Sequence, residues 1–172
     1  MWHVVEWRDQ KVHHIQLHVA KALGKVVAAL GAGEQVASGT DPMELVRAEV
    51  LPDVAIYRSQ LINTFADWDA LTTALDHRSA GVGTHAAEPL FHVVLLLSRA
   101  SAQLAAYIEP REHGEESPTS HIRAAIQDLH ASAEALAAYF AVDLVRAHRA
   151  RLEALLDAPL PASVIQGDRE GL

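Results

Sequence analysis

The sequence predicts an all-α protein, a helical bundle of two tandem copies of one unit related by a pseudo-twofold. Three observations carry this. Alanine and leucine dominate a chain that is 50% hydrophobic and only 5% aromatic, and both residues lose little entropy in a helix. Val12, Ile15, Val19, Leu23, Val26 and Leu30 recur at the steps of three and four that make one apolar helix stripe. The same register then returns in Leu90–Ile108, which aligns with Val12–Leu30 without a gap.

Taken in order, the first helix spans Val12–Leu30. Leu17, Ala20, Gly24, Val27 and Ala28 make a neighbouring face apolar too, so the helix is expected to be buried on two sides. Gly31-Ala32-Gly33 stops it. Asp41-Pro42-Met43-Glu44 reads as a helix start, with Asp as N-cap and Pro at the first position. That helix is expected to reach Phe65 and to bend or break within one turn of Leu51, because Pro52 lacks an amide and its ring clashes with the turn before it. A short helix over Asp67–His77 and a linker over Arg78–Glu88 follow. Pro89 opens a helix to about Ile108, Pro110–Ser117 is a charged loop, and Ser117-Pro118 starts a helix reaching Ala141. Asp143–Leu156 forms the last helix, and Ala158–Leu172 reads as a loose C-terminal tail.

The chain of 172 residues is the size of a single helical domain. Its internal repeat covers residues 12–78 and 90–156. Across that repeat His14 falls on His92, Lys21 on Arg99 and Val26 on Leu104, while Asp53 matches Asp128 and Phe65-Ala66 matches Phe140-Ala141. Each long helix has more apolar surface than one unit can bury. Pairing the copies buries it, as a homodimer of single units would.

Composition excludes several classes. With no cysteine, a disulfide framework, a zinc ribbon and a thiol nucleophile are ruled out. Net charge is −8 with histidine neutral and no basic block occurs, which argues against a nucleic-acid partner. The longest apolar run, Val93–Leu97, falls far short of the roughly 20 residues of a membrane span. Met1–Arg8 has no apolar core of signal-peptide length. The expected compartment is therefore cytoplasmic, without a membrane partner.

Two stripes carry chemistry. His14, His18, Lys21 and Lys25 recur at steps of four, three and four and form one polar, cationic stripe on an otherwise apolar helix. It suits a solvated face or a polar cleft, and His14 with His18 suits two ligands on one metal. Glu49 and Asp53 lie one turn apart across Pro52, where two carboxylates can share a hard cation.

Two segments together resemble the MazG-like all-α NTP pyrophosphohydrolases. In that family one helix carries a Glu-Glu-x-Gly-Glu core and the next a Glu-Glu-Leu-x-Asp core. Here the first core reads Lys21-Ala22-Leu23-Gly24-Lys25 and the second Ala48-Glu49-Val50-Leu51-Pro52-Asp53. The later copies read Arg99-Ala100-Ser101-Ala102-Gln103 and Ala124-Ala125-Ile126-Gln127-Asp128-Leu129. The resemblance covers Val12–Arg78 and Leu90–Leu156. It implies a magnesium site whose carboxylates are Glu49, Asp53 and Asp128, and a nucleotide as ligand.

The departures from that pattern are specific. Lys21, Ala22 and Lys25 stand where the family has carboxylates, and Val50 replaces another. Each lysine reverses a charge beside the metal, a repulsion of about 4 kcal/mol per unit-charge pair at ~4 Å in a surface-like dielectric. The resemblance thus leads to a MazG-like protein that has lost metal catalysis and uses no cofactor. His14, His18, Lys21, Lys25 and Arg99 would bind a nucleotide or other phosphate-containing small molecule directly. Two alternatives stand beside it. One is a non-catalytic helical scaffold for protein–protein interaction. The other is an active magnesium-dependent enzyme with rearranged ligands, including Glu134 or a histidine.

Overall fold

The computed structural model describes residues 7–31, 41–65 and 88–157. The expected helix Asp67–His77, most of the linker Arg78–Glu88, the Ala32-Gly33 stop and the tail Ala158–Leu172 lie outside the described residues. All elements among the described residues are helical. They are α1 (Trp7–Gly31), α2 (Pro42–Leu45), a π-helical segment (Val46–Val50), α3 (Leu51–Phe65), α4 (Glu88–Glu112), α5 (Ser120–Phe140) and α6 (Leu144–Asp157).

Local chemistry accounts for the ends. Asp41 Oδ1 accepts the Met43 amide at 2.9 Å, with Pro42 at the first helical position. The strain expected at Pro52 appears one turn earlier, as a change of hydrogen bonding. Leu51 donates its amide to Val46 O, a bond to the fifth residue back. One extra residue is thereby absorbed before the proline, and Pro42–Phe65 stays helical through it. Pro110 does not end α4, which runs one turn further than expected, to Glu112. A proline leaves the carbonyl four residues back without its amide, and here Ser117 Oγ donates to that carbonyl, Ala106 O, at 3.4 Å. Ala141 takes the left-handed conformation (φ 52°) that closes α5, and the Val142 amide reaches Ala137 O.

Four long elements close a ring. α1 packs on α4, α4 on α5, α5 on α3, and α3 on α1, while α6 lies outside on α3. Side-chain ties give the directions. Arg111 near the end of α4 grips the buried Asp9 at the start of α1 at 2.6 Å, so those helices are antiparallel. Lys25–Glu49 and His18–Tyr57 make α1 antiparallel to the π segment and α3.

The core follows one register in both halves. Val12, Ile15, Val19, Ala22 and Val26 are buried on α1, and Leu90, Val93, Leu97, Ala100 and Leu104 on α4 at the same spacing. Val50, Leu51, Val54 and Leu61 correspond in the same way to Ala125, Ile126, Leu129 and Leu136, all buried. The second apolar face expected on α1 is not covered by the described residues. Leu17 and Val27 are exposed, and a Cβ placed on Gly24 would meet nothing within 4 Å. Two core-facing residues per two turns already fill the contact with α4 and α3, and the small residues Ala20, Gly24 and Ala28 fall outside it.

α4 carries one further difference. Over Pro89–Glu112 it is long and apolar enough, by length and composition, to cross a membrane. The short unbroken run Val93–Leu97 conceals this, because isolated polar residues such as Ser98 and Arg99 interrupt a stretch whose average stays apolar. In the bundle, the Leu90–Leu104 stripe faces the core.

Candidate functional site

The π segment positions the first half of the site. It turns Glu49 toward α1, where Lys25 Nζ donates to Glu49 Oε2 at 2.5 Å. That hydrogen bond holds the Glu49 carboxyl below its ordinary range, against the opposing effect of burial. Glu49, Asp53 and Tyr57 then recur every fourth residue and line one face of the continuing helix.

Asp53 is gripped from the far side. Arg151 on α6 places Nε 2.8 Å from Asp53 Oδ1 and Nη2 3.3 Å from Oδ2, a fork-to-fork pair. The pairing holds Arg151 above its ordinary value, through the hydrogen bond first. Tyr57 is pushed up to about 12, by burial and then by the charge of Asp53. Its phenol therefore keeps a proton, and the hydroxyl lies 3.1 Å from His18 Nδ1. His18 is pushed below its ordinary value by burial first and then by His14 and Lys21, with Asp53 opposing. A neutral His18 accepting the Tyr57 proton at Nδ1 satisfies both groups. His14 stacks on the same ring, with centroids 4.4 Å apart.

Five of the expected residues, His14, His18, Lys25, Glu49 and Asp53, thus stand in one network, with Lys21 acting on it through its charge. Tyr57 and Arg151 complete it and were not singled out from the sequence. Tyr57 had a signal, since it continues the four-residue spacing of Glu49 and Asp53. Arg151 had none, because it lies 98 positions from its partner.

Arg99 and Asp128 are brought together elsewhere. Arg99 Nη2 lies 3.1 Å from Asp128 Oδ1, the arginine exposed and the aspartate buried. Neither is among the charges that act on His18 or Glu49. On the next turn Gln103 pairs with His121 at 2.7 Å.

A second cluster joins α3, α5 and α6. Burial pushes Arg58 down, with Glu134 opposing. Burial and then the Arg58 charge push His130 and His148 below their ordinary values. His130 Nε2 stands 3.5 Å from Glu134 Oε1, and that attraction is outweighed. Glu134 therefore belongs with these groups.

As ligands for a divalent cation, Glu49, Asp53 and Asp128 each already face a basic side chain: Lys25, Arg151 and Arg99 respectively. Among the described residues, no group of three or more His, Asp or Glu side chains converges as a metal would require. What the network offers is two ion pairs, Lys25–Glu49 and Arg151–Asp53, with a neutral histidine and a protonated phenol beside them. Comparison with known families, with curated proteins and with solved structures finds no match to this chain. The functional reading therefore rests on the geometry and on the residue pattern.

Proposed function

We propose that this chain is a MazG-like bundle of two tandem units related by a pseudo-twofold, and that it binds a phosphate-containing ligand such as a nucleotide without a catalytic metal. The shared burial register of the two halves and the antiparallel packing of α1 on α4 support the duplication. One observation carries the functional part. The three carboxylates at the family's metal positions are each neutralised by a basic side chain from another helix. A divalent cation entering there would have to displace Lys25 or Arg151 and stand beside it. The same cations suit an anion, and the stripe of His14, His18, Lys21 and Lys25 extends them along α1.

The test is thermal denaturation with a nucleoside triphosphate, with and without magnesium or manganese. Stabilisation that needs no metal and weakens as salt rises is expected. Lys21→Ala combined with Lys25→Ala is expected to abolish it and to leave the fold intact. Metal-dependent turnover that disappears in Asp53→Ala would replace this reading with the active enzyme.

A second reading, a helical scaffold, is favoured by α6. No residue on that helix is buried, and Val145, Leu152, Leu155 and Leu156 are exposed. A scaffold would leave the melting temperature flat with every phosphate compound.

A further inference from the structure

We propose that the groove between the π segment and α6 is a second binding site, for a small organic phosphate. The phosphoryl group would lie among Arg47, Arg146 and Arg151, and the uncharged part of the ligand along a strip of alanines. This inference does not rest on the α1 stripe.

The space is built by small side chains. The groove measures about 730 Å³, within the roughly 300–1,000 Å³ usual for small-molecule sites. Ala48 and Pro52 form one wall, and Ala147, Ala150 and Ala154 on α6 form the other. A leucine at any of these alanine positions would narrow it. The opening exists because α6 rests on α3 through so few large residues.

The charge of the groove runs against that of the chain. Net charge is −8, yet three guanidiniums line this groove with one acidic residue, Asp143. Asp143 is already engaged, since its Oδ1 accepts the Arg146 amide at 3.0 Å and caps α6. Glu44 and Asp53, which pair with Arg47 and Arg151, are not among the residues that line the groove, so the surface an incoming ligand meets is cationic.

The arginines are also prepared in different ways. Arg47 donates Nε to Glu44 Oε2 at 2.7 Å and Nη2 to Oε1. Arg151 grips Asp53 with the same two nitrogens. Each carboxylate fixes the plane of its guanidinium through Nε and Nη2, and among the described residues Nη1 makes no hydrogen bond. A held guanidinium loses less freedom when it binds. Arg146 has no carboxylate within ion-pairing distance among the described residues, so its whole fork is open to an incoming anion. Two fixed donors and one open fork around an apolar floor suit a phosphomonoester, which pairs with arginine through two oxygens at once.

Isothermal titration with phenyl phosphate, inorganic phosphate and phenol tests this. Phenyl phosphate is expected to bind at millimolar concentration or better. Inorganic phosphate, which lacks the apolar part, should bind more weakly, and phenol should not bind. Arg146→Ala should weaken phenyl phosphate by about ten-fold, the loss of one charged hydrogen-bonding pair. Ala150→Glu adds a carboxylate to the groove without removing any contact, and should abolish binding. Both positions are exposed on α6, so both variants should keep the helical fold, checked by circular dichroism. Failure of phenyl phosphate to bind the wild-type chain would overturn the proposal. So would binding indifferent to both α6 variants. Binding lost only in Lys21→Ala with Lys25→Ala would overturn the groove while leaving the α1 stripe as the anion site.

Discussion

Asp53 and Asp128 occupy the same place in the repeated register and are held in opposite ways. Asp128 is buried and meets Arg99 from the adjacent helix of its own half. Asp53 is half-buried and meets Arg151 from α6, the last helix of the second half. Asp53 also acts through its charge on His18 and Tyr57. The backbone differs too, since the π segment precedes Asp53 and an ordinary α-helix carries Asp128. The two aspartates thus stand in an ion pair with Arg99 on one side and in a wider polar network on the other. The difference lies in what surrounds each aspartate: a π segment before Asp53, and α6 packed on α3.

The largest effect that would sharpen this contrast is on stability. Arg99→Ala deprives the buried Asp128 of a charged partner and is expected to cost about 1–3 kcal/mol. Arg151→Ala leaves Asp53 within reach of water and should cost about 1 kcal/mol or less. Urea unfolding measures both. A larger loss for Arg151→Ala than for Arg99→Ala would show that the pair on α6 is the structural one.

Much of the bundle could be read directly from the chain. Val12, Ile15, Val19 and Val26 of the expected stripe are in the core, and their counterparts on α4 follow, while Leu23 is only partly buried and Leu30 is exposed. Periodicity marks such positions because burial selects for it. It did not foresee that Leu17 and Val27 stay exposed, because an apolar residue at the edge of a stripe looks the same whether or not a partner covers it. Pro52 signalled an irregular helix, but a missing amide does not say whether the chain bends or shifts to π bonding. On the site, Glu49, Asp53 and the α1 stripe were legible from helical spacing. The pairing of Lys25 with Glu49 was not, because α1 and the π segment are separate in sequence. Arg151 depends wholly on where α6 docks.

Acid should act on the open side next. His18, His130 and His148 all have folded values below the ordinary 6.5. Each binds a proton more readily in the unfolded chain, so its contribution to stability is fully present above pH 6.5 and is lost as pH falls through the folded values. Glu49 also has a lowered folded value, so its contribution goes only below about pH 4.5. A melting series from pH 7.5 to about pH 5 therefore isolates the histidines. The melting temperature is expected to fall over that interval, and amide exchange should quicken on α3 and α6 before α4. A flat profile would mean that these rings are solvated when folded.

The smallest effect on stability is expected at Lys25, and it is the most informative about function. Lys25 and Glu49 are both about a third exposed, at 35% and 39%. Water and salt screen such a pair, so Lys25→Ala should cost less than about 1 kcal/mol. The same change removes the hydrogen bond that holds the Glu49 carboxyl low, and its titration, followed by carbon NMR, should move up toward the ordinary range. Binding of a nucleoside triphosphate should weaken far more than the fold does, because the lysine is then missing from the stripe that meets the anion. A variant that loses stability and binding in equal measure would make Lys25 a structural tie between α1 and the π segment. A variant that keeps both would leave the stripe a solvated face, and the arginines of the α6 groove would then be the remaining cations for a phosphate to meet.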